Sequence, residues 1–477
     1  MRFIVKVSSE SFIKSRPVRN WHLDRLKRNV AKVLRVIDKK VQVRGHSDRL
    51  EIDCEEAAAS ACLQRLGDVP GIHSILTVDS AFLPSENTLE FLAEKAVDYY
   101  ADTIEGKSFV VRCRRVGKHA FGSLDVERHV GAVLFQASKN SQVKLKYPDV
   151  TVSIEILRDK AYFVRDKKLG LGGYPIGTQG TVLSLISGGF DSSVASYQMM
   201  RRGCRVDYLF FNLGGPAHSL GAQQAALYLW QKFGYSHSAR FYSVSLDALV
   251  ANLMQRSSPS LNGVLLKRAM MRVGDVIANK SKVSALVTGE SLAQVSSQTL
   301  INLSVIDKAA DKLVIRPLIA TDKSDIMQTA ETIGSAVFAR NMVEYCGVIS
   351  KKPTVAASLP ELEEAEQAMG DAWFYQALDS VEKVSVADII NHVNEQPQVE
   401  LETEVSDQLV IDIRAVEVSL EQSDLHIPFY QLNKKFPSLD QDKNYLLYCD
   451  KGVMSQLHAA YLHELGFDNV KVYRPVQ

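Results

Sequence analysis

Cysteine is scarce in this chain: six residues in 477, at 54, 62, 113, 204, 346 and 449, with no Cys-x-x-Cys pair among them. That spacing excludes a disulfide scaffold and a zinc ribbon, and no protein-held metal is expected. Long apolar runs are missing as well. Nothing approaches the roughly 18 residues of a membrane span, and Phe3-Ile4-Val5 is too short for the core of a secretory leader. No Gly-x-x-x-x-Gly-Lys-Ser/Thr run occurs, which excludes a Walker A loop. Gly170-Leu171-Gly172-Gly173 runs into Tyr174-Pro175 and lacks the third glycine of a dinucleotide fingerprint. What is present is ordinary: 46% hydrophobic, 8% aromatic and 23% charged residues, which excludes disordered, collagen-like and coiled-coil chains. The expectation is a reduced, cytoplasmic protein without membrane contact, with about three domains at roughly 150 residues each.

A net charge of +1 hides an asymmetry. Residues 1–175 hold 30 Lys and Arg against 22 Asp and Glu, a net +8, and residues 1–49 hold 14 against 4. Residues 361–407 hold 13 acids and one base, Lys383. A basic first third suits a polyanionic partner, and the acidic stretch suits a separator between domains. A solvated basic face would carry the same charge.

Periodicity divides the chain. Arg2–Ser8 alternates, His22–Ile37 repeats at helical spacing, and Val41–Arg44 with Leu50–Asp53 flank a Gly45–Asp48 turn. With a second helix over Glu55–Leu66, residues 1–80 read as a ferredoxin-like α+β unit. In 81–168, the strand Phe109–Val116 carries Arg112, Arg114 and Arg115 and leads into Lys118. Ser123 is placed to cap a helix through Phe135; Val143–Leu145 and the strand Val150–Leu157 follow. This stretch resembles the THUMP domain, an RNA-binding module, which implies phosphate contacts at Arg112, Arg114, Arg115 and Lys118; the plain alternative is a charged edge strand. Residues 176–394 alternate strands (Thr181–Ile186, Arg205–Phe211, Phe241–Ser245, Ala285–Thr288) with helices over 193–202, 220–233 and 264–280. That order predicts a parallel sheet with its ligand at the strands' carboxyl ends. Residues 404–477 form a last small α/β unit: Val410–Arg414, Ile427-Pro428, strand Tyr445–Tyr448, helix Ser455–Glu464, Gly466 as its cap and strand Val470–Tyr473. The expected fold class is multidomain α/β and α+β.

Two loops carry chemistry. Ser187-Gly188-Gly189-Phe190-Asp191-Ser192 follows a strand and opens a helix. Its glycines allow a tight turn, its hydroxyls donate, and the helix N-terminus favours an anion, so the loop reads as a pyrophosphate cradle. It resembles the PP-loop ATP pyrophosphatases, which cleave ATP to AMP and pyrophosphate. Cys449-Asp450-Lys451-Gly452 also lies between a strand and a helix start, where a thiolate or persulfide anion is stabilised. With Asp412-x-Arg414 upstream, this unit resembles a single-unit rhodanese, a sulfur carrier.

Together the stretches resemble, over essentially the whole length, the tRNA uridine 4-sulfurtransferase family, which is also tied to thiamine thiazole synthesis. Supporting runs are Phe12–Arg19, Gly170–Gly177, Leu266-Lys267-Arg268, Gly289–Leu292 and Cys346-Gly347. The resemblance implies that ATP, with Mg2+, meets Leu185, Ile186, Ser187, Gly188, Gly189, Asp191, Ser192, Lys267, Gly289 and Gln298. It implies that Asp191 and Lys323 act at the triphosphate, and that Cys449 carries sulfur while Cys346 pairs with it as a redox disulfide. It implies tRNA, a cysteine desulfurase and the sulfur-carrier protein of thiamine synthesis as partners. Related thiolases hold an iron–sulfur cluster on Cys-x-x-Cys plus a third cysteine; that pair is absent here, so no cluster is expected. Cys54, Cys62, Cys113 and Cys204 read as structural. The rival readings are a PP-loop amidotransferase or synthetase, which would need an ammonia source, an RNA-binding adaptor with an inactive loop, and thiazole sulfur delivery as the main task. A static structure is expected to hold the sulfurs of Cys346 and Cys449 apart, with the acidic segment 395–407 as hinge.

Overall fold

The alternation along Arg2–Val7 becomes strand β1, with Phe3, Ile4, Val5 and Val7 buried in the computed structural model of the chain. The structure describes residues 1–46, 48–213, 215–340, 350, 352–389, 400–414, 423–427, 431–432, 435–449 and 453–475. They divide into two units, Met1–Thr178 and Gln179–Gln477.

In the first unit, β1 is joined by β2 (Gln42–Gly45), β3 (Arg49–Asp53), β4 (Ile72–Phe82), β5 (Ser108–Val116), β6 (Gln142–Val143), β7 (Val150–Leu157) and β8 (Lys160–Leu169). They make one eight-stranded sheet in the order β2-β3-β1-β4-β8-β7-β5-β6. The ferredoxin-like and THUMP-like stretches thus share a sheet, joined through the long antiparallel pair β4–β8. Strand β8 was not anticipated, because Arg165-Asp166-Lys167-Lys168 breaks its apolar alternation; ladder bonds to β4 hold it in the sheet despite that polarity. The helix expected from His22 already begins at Arg16, since Pro17 in its first turn suits helical φ and its missing N–H costs no bond. Ser123 is not the cap. Gly122 occupies that position, and its N–H donates to the Asp125 carboxylate at 2.7 Å. The helices Thr88–Ile104 and Ser123–Ala137 bury Leu92, Tyr100, Val126 and Leu134 against Phe109, Val111, Ile154 and Phe163 of the sheet.

In the second unit, β9 (Thr181–Leu185), β10 (Arg205–Asn212), β11 (Arg240–Ser245), β12 (Ala285–Val287), β13 (Leu313–Ile315) and β14 (Glu382–Ser385) form a sheet in the order β13-β12-β9-β10-β11-β14. The first five are parallel, as expected, and β14 adds an antiparallel edge. Strand β9 lies between β10 and β12, so chain order reverses at its carboxyl end, where such sheets bind ligands. A five-stranded parallel sheet follows: β15 (Leu401–Glu402), β16 (Leu409–Asp412), β17 (Leu425–His426), β18 (Tyr445–Tyr448) and β19 (Val470–Tyr473), in the order β15-β19-β18-β16-β17. Part of the acidic stretch read as separator belongs to this sheet. Leu401–Glu402 pairs with β19, and Lys471 binds both Glu400 and Glu402. The two sheets of this unit share apolar contacts: Ala225 and Phe338 from the first part lie in one buried cluster with Ile413, Ile427, Leu432 and Cys449.

Candidate active site

The loop after β9 is built by its own residues. Gly188 has φ +80, a left-handed turn that a side chain would strain. The Ser187 N–H donates to Ser192 Oγ at 3.1 Å, the two hydroxyls lie 3.1 Å apart, and the Gly189 N–H reaches Ser187 Oγ at 3.3 Å. The helix Phe190–Arg201 makes its first helical bond from the Ser193 N–H to the Gly189 carbonyl. The amides of Phe190, Asp191 and Ser192 therefore have no helical acceptor and present a cluster of N–H donors. Leu185 and Ile186 lead into this turn, with the Ile186 N–H bonded to the Leu209 carbonyl at 2.9 Å.

Asp191 is the charged member of the loop. Lys323 Nζ, at the start of the helix Lys323–Ile333, donates to its two oxygens at 2.7 and 2.9 Å, and Gln294 Nε2 donates at 3.0 Å. Gly289, after β12, closes the other side. A Cβ there would lie 2.6 Å from the Asp191 carbonyl carbon and 2.7 Å from the Ser192 nitrogen, so only glycine lets the two backbones pack. The next residue, Glu290, is buried and receives Lys267 Nζ at 2.6 Å and Arg316 Nε at 2.8 Å. Burial would push its carboxyl up, but the two cations overrule this and hold it below the usual carboxylate range. Gln298 is buried, and among the described residues its Oε1 has no hydrogen-bond partner, leaving an acceptor for a ligand's N–H. The set fits an adenine nucleotide: amide donors and two lysines for phosphates, and a buried amide for a base.

Asp191, Lys323, Gly289 and the Ser187–Ser192 loop are brought together directly, and Lys267 joins through Glu290. Glu290, Arg316 and Gln294 were not anticipated as site residues. The acid beside Gly289, at the end of a buried strand, was the available signal for Glu290. Arg316 follows a strand of three residues, too short to show in periodicity, and nothing in the pattern marks Gln294.

The second loop starts at Cys449, which directly follows β18 and is 9% exposed. Its Sγ accepts from the Ser455 N–H at 3.4 Å and lies 3.4 Å from Ser455 Oγ, near the start of the helix Val453–Glu464. The thiol thus faces an amide and a hydroxyl at a helix N-terminus. On the neighbouring strand Arg414 grips Asp412, with Nη2 to Oδ2 at 2.7 Å and Nε to Oδ1 at 3.0 Å. Further along the Cys449 helix, buried His458 meets Gln224 at 3.0 Å, Nε2 to Nε2. An amide nitrogen only donates, so the imidazole nitrogen accepts and the ring is neutral. Burial lowers this histidine to about 4, in agreement. Burial has the opposite effect on the cysteines read as structural, pushing Cys62 up to about 12 and Cys113 and Cys204 up to about 11, so those thiols stay protonated. Cys346 and Asp450–Gly452 lie outside the described residues, and with Cys346 the expected separation of the two sulfurs.

In the first unit, Arg112, Arg114 and Lys118 are exposed while Arg115 is half-buried. Arg112 and Arg114 face one side of β5 and Arg115 the other, so the four do not form one row. Arg112 also lies 3.5 Å from Glu127, and Arg115 donates to the Gly117 carbonyl at 3.1 Å and meets His119 at 3.0 Å.

Family models match in chain order: the ThiI ferredoxin-like domain over residues 2–75, the THUMP domain over 86–166, Thiamine biosynthesis protein (ThiI) over 177–370 and the rhodanese-like domain over 400–474. The chain is 45% identical over 489 residues to the tRNA sulfurtransferase of Escherichia coli (strain K12), with all of both chains covered. It is 44% identical over 488 residues to that of Psychromonas ingrahamii, again covering both chains in full. Among solved structures, a 4-thiouridine synthetase–RNA complex with bound ATP matches with a TM-score of 0.71 and 24% identity, covering 81% of this chain and 99% of that one. PH1313 from Pyrococcus horikoshii matches with a TM-score of 0.54 and 21% identity, covering 70% of this chain and 100% of that one. These two likenesses speak to fold, whereas the full-length identity speaks to descent: the chain belongs to the tRNA sulfurtransferase family.

Proposed function

We propose that this chain is an ATP-dependent tRNA sulfurtransferase that converts a uridine, at position eight of tRNA, to 4-thiouridine. One observation carries the reading: a single unit holds both a strand–loop–helix anion cradle at Ser187–Ser192 and a thiol at a helix start, Cys449. The first suits activation of an oxygen by ATP and the second suits delivery of sulfur.

The uridine C4 oxygen is a poor leaving group, and adenylation with release of pyrophosphate turns it into AMP. The amides of Phe190, Asp191 and Ser192 with Lys323 and Lys267 would hold the phosphates, and Gln298 Oε1 would accept from the adenine amino group. Mg2+ entering with ATP would relieve the triphosphate charge, with Asp191 as the loop's carboxylate to face it. A cysteine desulfurase would load Cys449 as a persulfide. Its terminal sulfur attacks C4 and AMP departs, leaving C4 linked through that sulfur to Cys449. The Cys346 thiolate then attacks Cys449 Sγ, so the bond between the two sulfurs breaks and 4-thiouridine leaves. The resulting Cys346–Cys449 disulfide needs two electrons from a thiol reductant before the next round. Arg112, Arg114, Arg115 and Lys118 would meet tRNA phosphates, with recognition by shape. The same persulfide could supply the sulfur-carrier protein of thiamine thiazole synthesis. A cytoplasmic setting suits these partners, and among the described residues no helix is long and apolar enough to cross a membrane.

Mass spectrometry of tRNA nucleosides from a deletion strain tests the reading. Loss of 4-thiouridine, restored by the intact gene and not by Cys449→Ala, is expected. Unchanged 4-thiouridine would favour an amidotransferase or an RNA-binding adaptor instead.

A further inference from the structure

Glu290 is a buried charged group beside the phosphate loop, and nothing in the proposed chemistry uses it. Its side chain is 9% exposed and receives three donors: Lys267 Nζ at 2.6 Å, Arg316 Nε at 2.8 Å and Thr288 Oγ1 at 3.1 Å. Arg316 is itself anchored by Asp307, at 2.6 and 3.1 Å. The backbone has no slack either, because Gly289 packs directly on the backbone of Asp191 and Ser192. A line of direct contacts therefore runs from the loop through Gly289 to the Glu290 carboxylate, and from there to the Lys267 ammonium.

We propose that Glu290 is a positioning residue of the ATP site, a brace that fixes the Lys267 ammonium against the phosphate loop. The proposal rests on the assignment of Lys267 to ATP binding. Lysine carries its charge on a long flexible stem, so a fixed acceptor lowers the ordering cost of meeting a phosphate. A buried ion network is weak evidence for stability in itself, so the effect belongs in substrate placement.

Charge alone makes the opposite prediction. Lys267 and Arg316 are balanced by Glu290 and Asp307, and neutralising Glu290 leaves a surplus positive charge that would attract ATP more strongly. The brace requires weaker binding. The test is ATP-dependent, tRNA-stimulated pyrophosphate release by the full-length protein with Glu290→Gln, Lys267→Met and the double variant. The KM for ATP in Glu290→Gln is expected to rise about tenfold, the size of one lost charge-assisted hydrogen bond, with tRNA affinity unchanged. In the Lys267→Met background, Glu290→Gln is expected to add less than about twofold, because the brace then has nothing to hold. A KM that stays level or falls in Glu290→Gln, or effects that multiply in the double variant, overturns the proposal. An unchanged KM in Lys267→Met alone overturns instead the assignment on which it rests. If Glu290→Gln fails to fold, Glu290→Asp keeps the charge and shortens the reach, and is expected to raise the KM for ATP; a wild-type KM there overturns the brace.

Discussion

The Ser187–Ser192 loop and Cys449, both in the second unit, sit alike in their sheets and differ in their surroundings. Each leaves the carboxyl end of an inner strand of a parallel sheet, β9 or β18, and opens a helix. Helix-end amides there favour an anion whatever its chemistry. The difference lies in what surrounds the turn. Ser187–Ser192 is lined by hydroxyls and glycines and flanked by a half-exposed Asp191–Lys323 pair, a setting open to an anion from solution. Cys449 is buried, with Ser455 as its polar neighbour, so the group placed at this helix start is the chain's own sulfur. Under the proposed function, one helix start would serve a diffusible phosphate and the other a covalently held sulfur.

The largest effect that would sharpen this comparison is expected at the first loop. Asp191→Ala should remove pyrophosphate release and thiolation together, by about 10²–10³-fold or more, since Lys323 then loses the carboxylate that holds it. Retained pyrophosphate release would break the assignment of that loop to ATP. Next in size, Cys449→Ala should abolish thiolation while tRNA-dependent pyrophosphate release persists within a few-fold of wild type; its disappearance would mean the loops are not separate stations. Neutralising Arg112 and Arg114 touches neither loop. It should weaken tRNA binding by about tenfold and lower the salt slope by about one per lost phosphate contact. An unchanged slope in filter binding would return β5 to a plain solvated strand.

The smallest effect concerns how the helix after Cys449 is seated. His458 has its ordinary 6.5 lowered to about 4 by burial, so the unfolded chain takes up a proton first as pH falls. The stability associated with neutral His458 is therefore present above about pH 6.5 and is lost as pH falls toward 4. About 2 kcal/mol should be gone by pH 5. His458→Gln should flatten this part of the pH dependence in urea melts; an identical slope in both proteins would show that the histidine is not the cause.

Much of this was legible in the sequence because it is local. The strand–Ser-Gly-Gly-x-Asp-Ser–helix run, the isolated Cys449 after Tyr445–Tyr448 and the parallel strands all show in residue type and period, since buried strands and helix starts are written within a few residues. Ser123 misled because Gly122 and Asp125 share a cap that does not need its hydroxyl. β8 escaped because its charged residues are tolerated through pairing with β4. Where local pattern sufficed, the sequence by itself determined the two loops, the charge asymmetry and the scarcity of thiols. Only the tertiary structure decided that β4 and β8 merge two expected units into one sheet, that Gln294 and Lys323 converge on Asp191, and that Glu290 joins Lys267 to Arg316. Those contacts link residues from 23 to 132 positions apart or rest on backbone proximity, and no periodicity along the chain encodes which distant side chains a sheet's curvature will bring within 3 Å.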